Sequence, residues 1–208
     1  QRQMCIRDRL YAGVAAIALA AIIGGTALYT MMGTPNDCGG NAVAGGSSAI
    51  GGPFELVAPD GSLVTDAEVI DRPALVYFGY TFCPDVCPFD VARNVLAVDI
   101  LDEQGIEVRP VFISIDPERD TPDVMADYAD NMHPRMVALT GSAEQIKAAA
   151  QAYKAYYARG TGEEEFYLMD HSTFTYLMFP KTGLATYFGR ETTPEEMAEQ
   201  TACLINAS

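Results

Sequence analysis

The stretch PALVYFGYTFCPDVCPFD, residues 73–90, joins a run of strand-forming residues to two cysteines. Residues 73–80 carry no charge and are mostly aliphatic or aromatic, which is typical of a strand buried on both faces of a sheet. Cys83 and Cys87 follow with three residues between them, and each precedes a proline. The stretch therefore predicts a central strand that leads through a cysteine-bearing turn into a helix.

The predicted helix begins near Cys83. Pro84 suits the first helical position, because the N–H that proline lacks has no helical partner there. Residues four apart share one face of a helix, so the sulfurs of Cys83 and Cys87 can converge on one point beyond the helix N-terminus. The partial positive charge of that terminus favours thiolates and lowers the pKa of a thiol.

Strands and helices alternate along the rest of the domain. Further strands are predicted at 108–116, 136–141, 166–170, 172–180 and 184–189. Helices are predicted to open at Thr121, Ser142 and Thr193. Asp60-Gly61 indicates an N-terminal hairpin, and RGTGEEE (159–165) indicates an acidic loop. The predicted fold class is α/β: a thioredoxin-like mixed sheet flanked by helices, with the N-terminal hairpin as an extension.

Two thiols at this spacing suit three kinds of chemistry. A redox dithiol usually has two intervening residues rather than three. A peroxidatic cysteine is a second use, although Thr81 lies two residues before Cys83, where that class would have it three before. A soft metal is the third, because thiolates select Cu(I) and an added imidazole also suits Cu(II). Structural zinc fits poorly, since it requires four ligands.

The chain contains two histidines, His133 and His171. His171 lies in MDHSTF at the entry to a predicted strand, where it is a candidate third ligand beside the two thiolates. A surface or hydrogen-bonded histidine is the alternative at this position. His133 lies at a predicted helix end, where histidine commonly opposes the helix dipole.

The whole chain carries a net charge of −15. Nucleic acid is therefore excluded as an expected partner, because its phosphates require a basic surface.

The first 52 residues differ in composition from the rest. Residues 1–9 are interpreted as partly a sequencing or assembly scar with a short cytoplasmic stub. Residues 10–32 are 23 uncharged residues, enough for a single transmembrane helix with the N-terminus in the cytoplasm. A cleaved signal peptide is the alternative, but its apolar core is normally shorter than this run. Residues 33–52 are rich in Gly, Ser and Ala and predict a flexible linker to the domain at 53–208.

Four separate blocks are similar to the SCO/SenC family. They are YFGYTFCPDVCP (77–88), VFISIDPERDTP (111–122), HPRMVALTG (133–141) and DHSTFTYLMFP (170–180). The blocks stand in the expected order, and the resemblance covers roughly residues 53–203.

The resemblance implies a membrane-tethered copper metallochaperone that assists assembly of the copper centre of cytochrome c oxidase. It implies that Cys83, Cys87 and His171 bind copper, as Cu(I), Cu(II) or both. Phe82 stands where many relatives have histidine, so the site must do without a ligand there. The implied partners are the copper-bearing oxidase subunit and other copper chaperones. The implied location is the inner membrane, with the C-terminal domain in the periplasm.

Four further residues receive roles as hypotheses. Asp85 and Asp170 are candidates to orient the ligands, since a carboxylate that accepts the free imidazole N–H would fix its tautomer. The alternative is a solvated or capping aspartate. Cys38 and Cys203 are left over, and in an oxidising compartment such a pair can form a disulfide.

The competing function is enzymatic. A membrane-bound thiol–disulfide oxidoreductase that reduces the oxidase's copper-site cysteines would use the same fold and the same pair, Cys83 and Cys87. Such a reductase needs no histidine at position 171, so the presence of His171 favours a metallochaperone over an enzyme.

Overall fold

The computed structural model describes Gly25, Cys38 and residues 50–162 and 166–208. The predicted stub (1–9), the predicted anchor (10–32) and most of the predicted linker (33–52) lie outside this part of the chain. In the part that is described, no helix has both the length and the apolar character that a bilayer crossing requires.

Nine strands and five helices occur in the described part. The strands are β1 (Glu55–Val57), β2 (Leu63–Thr65), β3 (Ala74–Gly79), β4 (Arg109–Ser114), β5 (Val137–Leu139), β6 (Tyr157–Gly162), β7 (Tyr167–His171), β8 (Thr175–Phe179) and β9 (Gly183–Phe188). The helices are α1 (Asp66–Val69), α2 (Val86–Glu103), α3 (Pro122–Met132), α4 (Ala143–Ala152) and α5 (Pro194–Asn206).

The central sheet has five strands in the order β5-β4-β3-β8-β9. Strand β3 runs parallel to β4, and β4 runs parallel to β5, whereas β8 and β9 are antiparallel to their neighbours. All six residues of β3 are buried, as the unbroken apolar run predicts. The thioredoxin-like mixed sheet expected from the sequence is confirmed.

Two clusters of buried side chains cover the two faces of this sheet. The helices α3 and α4 supply Met125, Ile146 and neighbouring residues to the larger cluster. The helices α2 and α5 supply Leu101, Met197 and neighbouring residues to the smaller one. Successive side chains of a strand point to opposite faces, which is why the central strands contribute to both clusters.

The predicted helix starts at Thr121, Ser142 and Thr193 are correct, because each of these side chains accepts a hydrogen bond from the backbone N–H three residues on. Two of them, Ser142 and Thr193, also receive the reciprocal contact from Gln145 and Glu196 that completes a capping box.

Two antiparallel hairpins lie outside the central sheet. The pair β1–β2 is the hairpin expected around Asp60-Gly61. The pair β6–β7 contradicts the prediction of an acidic loop over its first four residues, 159–162, since residues 157–162 form a strand that pairs with β7. Residues 163–165 of the predicted loop lie outside the described residues. His171 is the last residue of β7 and lies opposite Tyr157.

The topology brings three connections to one edge of the sheet. Cys83 follows the carboxyl end of β3, and the loop at 115–121 follows the carboxyl end of β4. Strand β8 runs in the opposite direction, and its first residue, Thr175, pairs with Tyr77 of β3. The chain between His171 and β8 therefore reaches the same edge as the cysteines.

Candidate metal centre

Cys83 lies in the turn before α2 rather than in the helix. The helix begins at Val86, so the prediction that Pro84 occupies its first position is wrong. Asp85 is the capping residue by position, but its side chain makes no capping hydrogen bond. The sulfur of Cys83 takes this role by accepting the N–H of Cys87 at 3.4 Å.

This arrangement makes the two thiols unequal. Burial opposes ionisation of Cys83, but hydrogen bonds from the backbone N–H groups of Cys87, Asp85 and Val86 help to hold the net pKa of Cys83 below its ordinary value. Burial raises the pKa of the Cys87 thiol well above its ordinary value. One sulfur is therefore disposed to be a thiolate, while the other retains its proton until a cation displaces it.

His171 presents one ring nitrogen to the cysteines. Its Nδ1 donates to the carbonyl oxygen of Ser172 at 2.9 Å, which leaves the lone pair of Nε2 free. That Nε2 lies 3.3 Å from the Sγ of Cys87. Burial lowers the pKa of His171, so the imidazole is neutral and able to bind a metal near pH 7.

The three candidate ligands converge on one point. The two sulfurs and one imidazole nitrogen all lie within 4.8 Å of one another. Both cysteines are free thiols. Two thiolates and one neutral imidazole are a donor set that suits Cu(I) and Cu(II), so the residues present fit a copper ion.

Aromatic rings enclose the imidazole. The rings of Tyr77 and Tyr80 meet the His171 ring edge-on, with centroids 6.1 and 6.0 Å away. Burial raises the pKa of Tyr80 to about 12, so its hydroxyl stays neutral. The imidazole therefore packs against apolar ring edges, which restricts its rotation.

The absence of a side chain at Gly79 leaves room for the sulfur of Cys87. A Cβ at position 79 would lie 3.1 Å from the Sγ of Cys87, 2.9 Å from the ring of Tyr77 and 3.0 Å from the ring of Phe112. These separations are shorter than ordinary carbon contacts, so a side chain at position 79 would displace the sulfur or both rings.

A buried polar network lies beneath Cys87. The hydroxyl of Tyr77 donates to Asp90 at 2.9 Å. Asp90 is also 3.9 Å from Arg93 and 3.5 Å from Arg190. The buried carboxylate is thus paired with cations, as a buried charge requires.

Asp85 and Asp170 do not contact the ligands in the way predicted from the sequence. Both side chains are exposed, and the imidazole N–H is held by the Ser172 carbonyl instead of by Asp170. At Asp85, the backbone N–H rather than the carboxylate faces the sulfur of Cys83. Phe82 is exposed beside Cys83 and offers no ligand.

The loop after β4 is fixed to the cysteine turn by Asp120. This buried carboxylate accepts the Thr81 N–H at 3.1 Å and the hydroxyls of Thr81 and Ser114 at 2.5 Å each. The turn before Cys83 is therefore tied to the end of the neighbouring strand.

A second group of possible ligands comprises Asp99, Asp102 and His133. The Nδ1 of His133 accepts the N–H of Arg135 at 3.1 Å, so the proton of a neutral ring lies on the nitrogen that faces Asp99. Asp102 pairs with Arg135. These contacts satisfy the group without a metal, and His133 caps the end of α3 as expected.

A disulfide joins Cys38 to Cys203 of α5, with Cα atoms 5.5 Å apart. The chain therefore carries one bridged cysteine pair and one free pair among its described residues.

Comparison with known proteins supports one family. The SCO1/SenC family model matches residues 43–206. Protein SenC of Rhodobacter capsulatus is 45% identical over 207 residues, which cover 98% of this chain and 94% of that protein.

Solved structures agree with this match. Copper-bound ScoI of Arabidopsis thaliana superposes with a TM-score of 0.74 at 38% identity and covers 77% of this chain and 100% of that chain. Copper-bound ScoI of Bradyrhizobium japonicum gives a TM-score of 0.67 at 36% identity, with 74% and 98% covered. The chain belongs to the SCO1/SenC family.

Proposed function

We propose that this protein binds copper through Cys83, Cys87 and His171 and delivers it to the copper-bearing subunit of cytochrome c oxidase, with another copper chaperone as the donor. The observation that carries the proposal is the 3.3 Å approach of the His171 Nε2 to the Cys87 Sγ. Copper in two related structures supports it.

Three ligands leave copper open on one side, where an acceptor's ligands can replace them one at a time. Loading requires loss of the Cys87 proton, so affinity depends on pH. A disulfide between Cys83 and Cys87 would remove both thiolates, so oxidation of the pair by two electrons blocks binding.

Exposed aromatic residues near the ligands are suited to docking. Phe82 and Phe89 are 57% and 68% exposed, and Phe174 is exposed close to His171. Each of the three is within three residues of a candidate ligand in the sequence, and large exposed apolar side chains near a site favour a protein partner. We propose that the acceptor subunit covers this surface during transfer.

A copper titration tests the proposal. The reduced protein is mixed with Cu(II), and a strong sulfur-to-copper charge-transfer absorption is expected at one equivalent. The absorption should vanish in His171→Ala. Equal absorption in the variant and the parent would show that the imidazole is no ligand, and the proposed site would be wrong.

The second candidate function is reduction of the oxidase's copper-site cysteines. The unequal thiols favour it, because a low-pKa Cys83 can attack a disulfide and Cys87 can then resolve the mixed disulfide. The released substrate cysteines take the electrons, and the pair becomes a disulfide. Rapid turnover of a disulfide substrate that persists in His171→Ala, together with unchanged copper binding, would favour the reductase.

We also propose that residues 10–32 anchor the protein in the inner membrane, that residues 33–52 link the anchor to the domain at 53–208, and that this domain lies in the periplasm. The 23-residue uncharged run supports this. Protease added to spheroplasts should digest the domain. Digestion only after the membrane is lysed would contradict the proposal.

A further inference from the structure

The metal centre is assembled from two pieces of chain that the central sheet does not connect directly. The cysteines follow β3 at the middle of the sheet, whereas His171 ends a hairpin outside it. Residues 172–174 join His171 to β8, so the geometry of the site depends on this connection and on the contacts that fasten the β6–β7 hairpin to the cysteine turn.

Arg119 contacts both the β6–β7 hairpin and the cysteine turn. On the hairpin side, its Nη1 donates to the backbone carbonyl of Tyr167 at 3.0 Å, and its guanidinium lies 3.7 Å from the centroid of the Tyr167 ring. On the cysteine side, the guanidinium lies 5.0 Å from the Phe82 ring and 5.6 Å from the Tyr80 ring. Phe82 is the residue before Cys83.

Asp116 holds Arg119 and Tyr167 together. Its Oδ2 accepts the Nε–H of Arg119 at 2.5 Å, and its Oδ1 accepts the hydroxyl of Tyr167 at 2.6 Å. The carboxylate, the guanidinium and the phenol form a closed ring of contacts that fixes the direction of the Arg119 side chain.

One donor of Arg119 is left without a hydrogen-bond partner. Only 15% of the Arg119 side chain is exposed, and its Nη2 is buried with no hydrogen-bond partner among the described residues. A buried donor without a partner costs folding free energy. Contact with the faces of three rings compensates for part of that cost.

We propose that Arg119 is a positioning residue for the metal centre. It holds the β6–β7 hairpin against the aromatic residues that flank Cys83, and it thereby sets the separation between the His171 imidazole and the two sulfurs. As a statement about copper binding, this inference rests on the proposed function.

Arg159 provides a matched comparison within the chain. Its guanidinium also lies 3.7 Å from the centroid of the Tyr167 ring, and it pairs with Glu118. Arg159 links the hairpin to the loop after β4 through Glu118, whereas Arg119 also contacts the rings of Phe82 and Tyr80. Arg119→Met and Arg159→Met each remove one cation from the Tyr167 ring, but only Arg119→Met also removes the cation that lies against the aromatic residues preceding Cys83.

The first experiment uses metal-free, reduced protein. NMR contacts between ring protons of His171 and those of Tyr77 and Tyr80 report the position of the open end of the hairpin, where His171 lies opposite Tyr157. The chain has two histidines, so His171→Ala identifies the signals. We expect the contacts to weaken in Arg119→Met and to persist in Arg159→Met.

The second experiment measures copper. We expect Arg119→Met to lower copper affinity about 10-fold or more and to shift the sulfur-to-copper absorption, whereas Arg159→Met changes affinity by less than about 2-fold. Equal effects of the two variants on both the NMR contacts and copper would overturn the inference.

Two further outcomes separate the possible failures. If Arg119→Met does not fold, Arg119→Lys replaces it, because lysine keeps the charge but loses the planar group that spans the rings; copper binding and ring contacts at the parent level would then overturn the inference. Absence of the copper absorption in the parent would overturn the proposed function, while the metal-free contacts would still decide the role of Arg119.

Discussion

The cysteine turn and the β6–β7 hairpin supply ligands to one site but are supported in different ways. The cysteine turn follows a strand with all six residues buried, and both of its cysteines are buried. The hairpin has two strands, and Phe166 and Leu168 on it are exposed. The difference suggests that the sulfurs are the fixed part of the site and that the imidazole is the part that can yield when copper leaves.

The largest expected effect is on copper affinity and comes from a change in the cysteine turn. Cys87→Ala removes a buried sulfur ligand, and we expect copper affinity to fall about 100-fold or more, since each ligand of a metal site contributes several kcal/mol. Competition with a chromophoric copper chelator measures it. The double variant Cys38→Ala/Cys203→Ala is the control, because it removes the disulfide without leaving a free thiol that could bind copper, and it should leave copper affinity unchanged.

A side chain added beside the sulfur of Cys87 should have the next largest effect, on both stability and copper affinity. Gly79→Ala places a Cβ 3.1 Å from the Cys87 Sγ, and we expect it to lower the free energy of unfolding by about 1–3 kcal/mol and to weaken copper binding as well. Urea unfolding and copper competition measure the two effects. In the control Gly141→Ala, the new Cβ meets Gln145 and Leu56 rather than a copper ligand, so only stability should change. Copper binding at the parent level in Gly79→Ala would contradict the argument.

Substitutions of exposed aromatic residues should affect docking to the copper acceptor without affecting the stability of the fold. Phe89→Ser alters a side chain that is mostly outside the core, so we expect the free energy of unfolding to change by less than about 0.5 kcal/mol. Copper transfer to the oxidase subunit should slow, and stopped-flow absorption can follow it. Leu63→Ser, on β2 of the N-terminal hairpin, is the control; equal transfer rates in both variants would remove the case for docking at this surface.

The smallest expected effect is the pH dependence of the metal-free protein. Burial lowers the pKa of His171, so the unfolded chain takes up a proton more readily than the folded one. The free energy of unfolding should therefore fall as pH decreases from about 7.5 to about 5.5. His171→Gln should show a smaller fall in urea unfolding; an identical fall would mean that other groups cause it.

Local patterns in the sequence were sufficient for much of the fold. The apolar run at 73–80 identified the central strand, and the capping residues Thr121, Ser142 and Thr193 identified three helix starts. Pro84 led to a start of α2 that is too early, because Asp85 occupies the capping position and the sulfur of Cys83 accepts the N–H that the Asp85 side chain leaves free.

The contacts that support the site were harder to predict from the sequence. A carboxylate at Asp170 was the expected partner of the imidazole, but a backbone carbonyl at Ser172 takes that role, and every residue has such a carbonyl. Arg119 belongs to no sequence pattern that indicates a role at the site. Its contact with Tyr167 spans 48 positions and depends on the placement of a separate hairpin.

The bond between Cys38 and Cys203 also has a mechanical consequence. It encloses the 164 residues from 39 to 202 in one covalent loop, with α5 at the closing point. Tension applied to the chain before Cys38 passes through the sulfurs into α5 and the last residues, and the strands and the metal centre inside the loop carry none of it along their backbone. A pull on the N-terminal end would therefore load α5 before the backbone of the metal centre, for as long as the bridge is intact.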